Sequence, residues 1–268
     1  MVVKITEKMS SPKNSMKDKP IETVQSLIKG LAVIQAFNKK QPAMTLSEVA
    51  IATGFSRAAS RRFLQTLVVE GYAKQEGKLF SLTAKVLDLG FAYLSTQDIW
   101  HHGKPLIQQL VEQLNESCSA AVLEGEEVVY VARVATTKRI MSISLTIGSR
   151  LPAFATSLGR VLLTDLSDSA LDNFLSHCEM QQYTEHTITD KSILMAEIKQ
   201  VKRQGYSLVE QELELGLTSI SVPITDRMAN IVAALSISIH VSQTSKQHLL
   251  STILPALQRC ADKIALGY

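Results

Sequence analysis

The sequence predicts an α+β chain of two domains: a small basic one built on short helices, and a larger acidic one with an antiparallel sheet. Three observations carry this expectation. The 268 residues are 46% hydrophobic, enough to fill real cores. Charge is divided unevenly: residues 1–95 hold 14 Lys and Arg against 7 Asp and Glu, and the remainder 14 against 18, so the net +3 is composed of +7 and −4. Finally, apolar spacing is helical up to a glycine hairpin near residue 77, and beyond residue 100 helical stretches alternate with short strand-like runs. A basic module beside an acidic one points to a polyanion as partner for the first, nucleic acid above all.

Taken in order, residues 1–20 read as a disordered basic arm, because Lys4, Lys8, Lys13, Lys17 and Lys19 have few apolar neighbours. Val24, Leu27, Ile28, Leu31 and Ile34 then recur at spacings of three and four, predicting a helix over 24–37 with that stripe buried. Thr45 can cap a second helix that buries Leu46, Val49 and Ala50, with Glu48 placed to close a capping box and Gly54 to end it. Ser56 caps a third, running to about Glu70 before Gly71. On a helical wheel Ser60, Phe63, Leu64, Leu67 and Val68 face inward, and Ala58, Arg61, Arg62, Gln65 and Val69 outward.

Two helices joined by a tight glycine turn form a helix-turn-helix, and the hairpin that follows is its wing: Tyr72–Lys74, a turn at 75–77, then Lys78–Leu82. This DNA-binding domain spans 21–83. A recognition helix reads base edges with its N-terminal residues while surrounding cations meet phosphates. Arg57 and Arg61 are therefore the expected base contacts, Ala58 can meet a thymine methyl, Ser56 a phosphate, and Arg62, Lys74 and Lys78 the backbone. An isolated amphipathic helix could carry arginines merely to solvate its outer face; the adjoining turn, cap, wing and charge argue against that here.

Thr83 caps a further amphipathic stretch, Ala84–Ser95. Val86, Leu87, Leu89, Phe91 and Leu94 make it too hydrophobic for a free spacer, so residues 84–100 are expected to be a linker helix resting on a second subunit. The second domain, 101–268, is expected to hold helices at 106–114, 157–166, 169–176, 193–204 and 246–266, the last kinked at Pro255. Strands are expected at 119–123, 128–134, 140–147, 220–224 and 231–239, with a turn at 124–126. Pro152 to Gly159 leads into a helix whose free N–H groups, on Ser157, Leu158 and Gly159, make a seat for a carboxylate. Arg133, Arg139 and Arg150 are available for charge pairing, and the polar run Glu210, Gln211, Glu212 and Glu214 reads as a solvated loop or edge.

Other classes are disfavoured. No signal peptide or stretch of about 18 apolar residues is present, so a cytoplasmic, membrane-free protein is expected. Cys118, Cys178 and Cys260 are widely spaced and read as reduced, buried thiols. His101-His102 is a poor metal pair, since adjacent side chains point apart, and no cofactor or metal site is expected. Serines near His177 or His240 could serve nucleophilic chemistry, but nucleotide-binding glycine loops, the G-x-S-x-G elbow and H-E-x-x-H are absent, so an enzyme acting on a small carboxylic acid is the weaker alternative. A nucleoid-architectural protein would leave the polar residues of the second domain unexplained.

From residue 24 onward the chain resembles the IclR family of bacterial transcription regulators. Gly148-Ser-Arg150-Leu151-Pro152-Ala-Phe-Ala-Thr156-Ser157-Leu158-Gly159-Arg160-Val-Leu-Leu163 is similar to the segment forming one wall of the family's effector pocket. Gly205-Tyr206-Ser-Leu-Val209-Glu210-Gln211-Glu212-Leu213-Glu214-Leu215-Gly216-Leu217-Thr-Ser219-Ile-Ser221-Val-Pro223-Ile-Thr225-Asp226 is similar to its C-terminal signature. It departs at Val209, where Asp or Ser is usual, and at Thr225, where an aromatic or His is usual.

The resemblance implies a GAF- or profilin-like effector domain whose pocket takes in Ser219, Ser236 and Ser238, with Val209 suiting a ligand that has an apolar or aromatic body. Tyr130-Val-Ala-Arg133, Arg139-Ile-Met-Ser142-Ile-Ser144-Leu and Gln211-Glu212-Leu213-Glu214 look most like the branch controlling aromatic-acid breakdown through the β-ketoadipate pathway. Members respond to protocatechuate, 4-hydroxybenzoate or β-ketoadipate, and several are activators; a repressor sensing another small carboxylic acid is the alternative. The implied partners are palindromic or repeated operator DNA, an aromatic or dicarboxylic acid, RNA polymerase, and further copies of the chain in a homodimer or homotetramer, the linker helix transmitting the signal.

Overall fold

The computed structural model describes residues 22–96, 98–136 and 145–267. The basic arm, Arg139 and most of the strand expected at 140–147 lie outside the described residues. Two compact units, 1–90 and 91–268, divide the chain.

The first unit begins with α1 (Gln25–Ala36), followed by β1 (Ala43–Thr45), α2 (Leu46–Thr53), α3 (Arg57–Val69) and the strands β2 (Ala73–Glu76) and β3 (Leu79–Leu82). The Thr45–Glu48 capping box opens α2, with the Thr45 N–H donating to Glu48 Oε2 at 2.7 Å, and Gly54 closes it at φ +69°. Ser56 Oγ accepts from the Ala59 N–H at 3.3 Å and starts α3. The core is Val33, Met44, Val49, Leu64, Leu67, Ala73 and Phe80.

Three expectations need correcting in this unit. Most of the α1 stripe is not buried: Val24, Leu27, Ile28 and Leu31 are 44 to 65% exposed, while Ile34, partly buried, and Val33, fully so, pack on the core. Periodicity finds the apolar side of a helix without saying what covers it. The wing turn is the pair Gly77–Lys78 rather than 75–77, since Glu76 pairs with Leu79. A third strand, β1, pairs with β3, and at three residues it is too short to show an alternating pattern.

Thr83 caps a 3₁₀ turn, Ala84–Val86, before α4 (Leu87–Ser95), so the linker is not α-helical from its first residue.

The second unit comprises α5 (Asp98–Leu114), β4 (Cys118–Glu124), β5 (Glu127–Val134), β6 (Arg150–Pro152), α6 (Ser157–Leu163), α7 (Asp168–His177), α8 (Lys191–Gln204), β7 (Ser207–Glu210), β8 (Leu217–Thr225), β9 (Ile231–His240), the single turn α9 (Lys246–His248) and α10 (Leu254–Ala265). Its sheet is antiparallel throughout, in the order β6-β5-β4-β9-β8-β7. One face, with Cys118, Ala120, Ile220, Leu235 and Ile237, is covered by α5 and α10. The other, with Ala121, Val128, Tyr130 and Ala234, lies under α6, α7 and α8.

α5 begins well before the expected Leu106 and carries Pro105 inside it. Residues 145–149 form a turn, not a strand, with the Gly148 N–H donating to the Tyr130 carbonyl at 2.8 Å. The C-terminal helix is irregular before Pro255: a π turn, Leu249–Ile253, runs directly into α10, and Pro255 sits in the first turn of α10. The three cysteines are buried thiols, and burial pushes those of Cys178 and Cys260 up to about 11. Among the described residues no helix is long and apolar enough to cross a membrane.

Candidate functional site

In the first unit, α3 presents Arg57, Ala58, Arg61 and Arg62 on its exposed side, and none of the three arginine side chains has a hydrogen-bond or ion-pair partner among the described residues. Such side chains are free to meet phosphates or base edges. Lys78 is exposed at the tip of the wing. Lys74 is tied to Glu76 at 2.6 Å, which holds the Glu76 carboxyl below its ordinary range, but both are well exposed and such a pair is weak. Lys85, absent from the expected set, donates to the Glu70 carbonyl at 2.7 Å and lies over the Tyr72 ring, bracing the end of α3 against the wing.

In the second unit, register lays polar side chains out in rows beneath α6. Direct cross-strand partners share a face. Arg133, Ser119, Ser236, Ser221 and Ser207 therefore form one row over five strands, and Ser238, Ser219 and Val209 the next. A bulge on β5 admits Arg133 to this face. Ala120 pairs with Ala132 but Ala121 with Tyr130, so Val131 is an extra residue. Strict alternation would send Tyr130 and Arg133, three apart, to opposite faces; the bulge brings them to the same one.

A pocket opens over these rows. Tyr130, Leu151, Thr156, Glu212 and Leu213 line it, together with the expected Ser157, Leu158, Val209, Ser219, Ser236 and Ser238. The hydroxyls of Tyr130, Ser219, Ser236 and Ser238 have no hydrogen-bond partner among the described residues. Its free space is only ≈ 20 Å³, where one water needs roughly 10–15 Å³. A ring-sized ligand must part the walls to enter.

Two expected pocket residues do not line it. Gly159 has its N–H taken by Thr156 Oγ1 at 3.1 Å, the N-cap bond of α6, and its hydrogen faces the Ala153 carbonyl, where an added Cβ would lie at 2.1 Å. Its role is close packing. Arg133 instead donates to Ser119 Oγ at 2.7 Å and is half-buried beside the lining. Arg150 spans Glu127 and Glu124 on the surface, at 2.6 and 3.1 Å. Ser157 lines the pocket, but its hydroxyl pairs with Ser221 at 2.7 Å, leaving its N–H and that of Leu158 as first-turn donors without an i−4 carbonyl.

The polar run after β7 is not uniformly solvated. Glu212 is 6% exposed, its carboxylate accepting from Arg160 at 2.6 Å and from the Ile188 N–H at 3.0 Å. The Thr184 and Thr187 hydroxyls donate to the carbonyls of Gln211 and Glu212, both at 2.7 Å or less. Arg160 is 2% exposed within the otherwise apolar helix Ser157–Leu163, the signal that could have revealed it.

Comparison with known proteins gives the family. The family profile described as IclR helix-turn-helix domain matches residues 26–77, and that described as Bacterial transcriptional regulator IclR C-terminal matches 91–266. The chain is 42% identical to the Pca regulon regulatory protein of Pseudomonas putida over 87% of its own length and 80% of the relative's. It is 31% identical to the p-hydroxybenzoate hydroxylase transcriptional activator of Acinetobacter baylyi over 96% of both chains. Among solved structures, a double mutant of the inducer-binding domain of the PobR transcription factor from Acinetobacter, in complex with 3-hydroxybenzoic acid, matches with 30% identity and a TM-score of 0.57, covering 60% of this chain and 94% of that domain.

Proposed function

Because the chain belongs to the IclR family of DNA-binding transcription regulators, which are not enzymes, we propose that it is an activator of aromatic-acid catabolic genes that senses protocatechuate or a related acid of the same pathway. One observation carries the reading: four hydroxyls without protein partners converge on one pocket. Hydroxyls that make no bond within the protein are free to donate to or accept from a guest, and a ligand bearing a carboxylate and a phenol supplies the matching groups. The N–H groups of Ser157 and Leu158 suit the carboxylate, the serines suit either group, and Val209, 4% exposed, faces the ring. The structure of a relative's domain with 3-hydroxybenzoic acid and the activator function in another relative's name support the same direction.

On the DNA side, Arg57 and Arg61 read bases, with Ala58 against a thymine methyl, and Ser56, Arg62, Lys74 and Lys78 hold phosphates. The exposed apolar residues of α1 and of α4, Leu87, Leu89, Phe91 and Tyr93 among them, support assembly as a homodimer or homotetramer on paired half-sites. An acid regulates only if it binds two arrangements of that assembly unequally. A pocket this tight fits that requirement, since filling it must displace α6 or the loop after β7, and RNA polymerase is the partner that reads the outcome.

A thermal-shift screen of protocatechuate, 4-hydroxybenzoate and β-ketoadipate tests the reading. At least one acid raises the melting temperature of the wild-type chain and loses most of that effect in Ser236→Ala; no shift with any of them refutes it.

A further inference from the structure

The two ends of the pocket differ in charge. At one end Glu212 is already matched by Arg160 and the Ile188 N–H. At the other, Arg133 has no ion-pair partner among the described residues, and its one side-chain bond is to the neutral Ser119 hydroxyl. Tyr130, on the same face of the sheet as Arg133, lines the pocket and is 6% exposed, its hydroxyl unpaired among the described residues. The backbone fixes this residue on both sides, its N–H donating to the Ser149 carbonyl at 3.0 Å and its carbonyl accepting from Gly148. The β5 bulge directs its ring and the Arg133 guanidinium to one face.

Resting on the sensor reading, we propose that Tyr130 is a specificity-determining residue of the effector site: its phenol donates a hydrogen bond to the effector's carboxylate, and the positive Arg133 on the same face of β5 favours the anion at this end. The ring and hydroxyl of the acid then point toward Val209 and the Glu212 loop. Burial pushes the phenol up to about 12 despite Arg133, so at neutral pH Tyr130 keeps the proton it must donate. A tyrosine that only filled the core would satisfy its hydroxyl within the protein.

Titration calorimetry on the full chain with 4-hydroxybenzoate, protocatechuate and the neutral 4-hydroxybenzamide, for wild type and Tyr130→Phe, tests this. Phenylalanine weakens the acids by about tenfold or more, as expected when a charged acceptor loses a donor, and weakens the amide by far less. The melting temperature of the unliganded variant does not fall, because the hydroxyl has no partner to lose. Unchanged acid affinity in Tyr130→Phe, an equal loss for acid and amide, or a lowered melting temperature without ligand overturns the inference and leaves the sensor reading standing. A wild-type chain that binds neither of these acids overturns the inference, and one that binds no acid of the pathway, β-ketoadipate included, overturns both.

Discussion

The guanidinium of Arg160 lies 2.6 Å from the carboxylate of Glu212, and both side chains are almost wholly buried. The pair joins the helix on one wall of the pocket to the loop forming another, while Arg160 Nε also donates to the Phe154 carbonyl at 3.1 Å. Two charges so far from water are tolerated because each has further hydrogen bonds, and removing one strands the other. Arg160→Met or Glu212→Gln should each destabilise the second unit by about 3–5 kcal/mol. The double change to apolar residues of similar size should recover most of that loss, as measured by urea unfolding.

Gly159→Ala tests the close approach of α6 to Ala153. The added methyl would meet backbone, at 2.1 Å from the carbonyl oxygen, so no side-chain rotation relieves it. A cost of about 3 kcal/mol or more follows, at the upper end for overpacking, and melting of the second unit should show it while that of the first stays unchanged.

Arg57 and Lys78 differ in what they should read. Arg57→Ala should cost about 1–3 kcal/mol on the operator and relax preference at one base pair, whereas Lys78→Ala should weaken operator and scrambled DNA alike and lower the salt slope by about one. Fluorescence anisotropy on both DNAs at several salt concentrations checks the difference; equal losses on both targets from both variants would contradict it.

These sites differ in how far the sequence reveals them. The capping box at Thr45 and Glu48, the Gly54 turn and the cap at Ser56 are local, and local chemistry placed them correctly. The pocket serines came from resemblance, and strand register explains why they meet: Ser219 stands opposite Ser238, and Ser221 opposite Ser236. Three features stayed hidden because they depend on partners distant in sequence. Burial of Glu212 needs Arg160, 52 residues away. The shared face of Tyr130 and Arg133 needs a bulge that breaks the period of two. The exposure of Leu27 and Leu31 follows from which side of α1 meets α2 and α3, which no single-helix pattern encodes.

Val209 is where the chain departs from its family's usual acid, and the structure buries it opposite Ser219 on the pocket wall. Val209→Asp places a second carboxylate in the pocket, across the ring from the effector's own. Like charges in a partly desolvated pocket repel by about 2 kcal/mol or more, so calorimetry should show affinity for 4-hydroxybenzoate falling at least tenfold, while Val209→Ile stays near wild type.

The central claim, that an aromatic acid in the pocket controls transcription from bound DNA, is tested most directly with purified RNA polymerase, the full chain and an operator-bearing promoter, measuring transcript yield across a titration of protocatechuate or 4-hydroxybenzoate. A saturable rise in yield is expected, which Ser236→Ala abolishes while operator binding persists. Yield and operator geometry that stay constant with every acid of the pathway would contradict it.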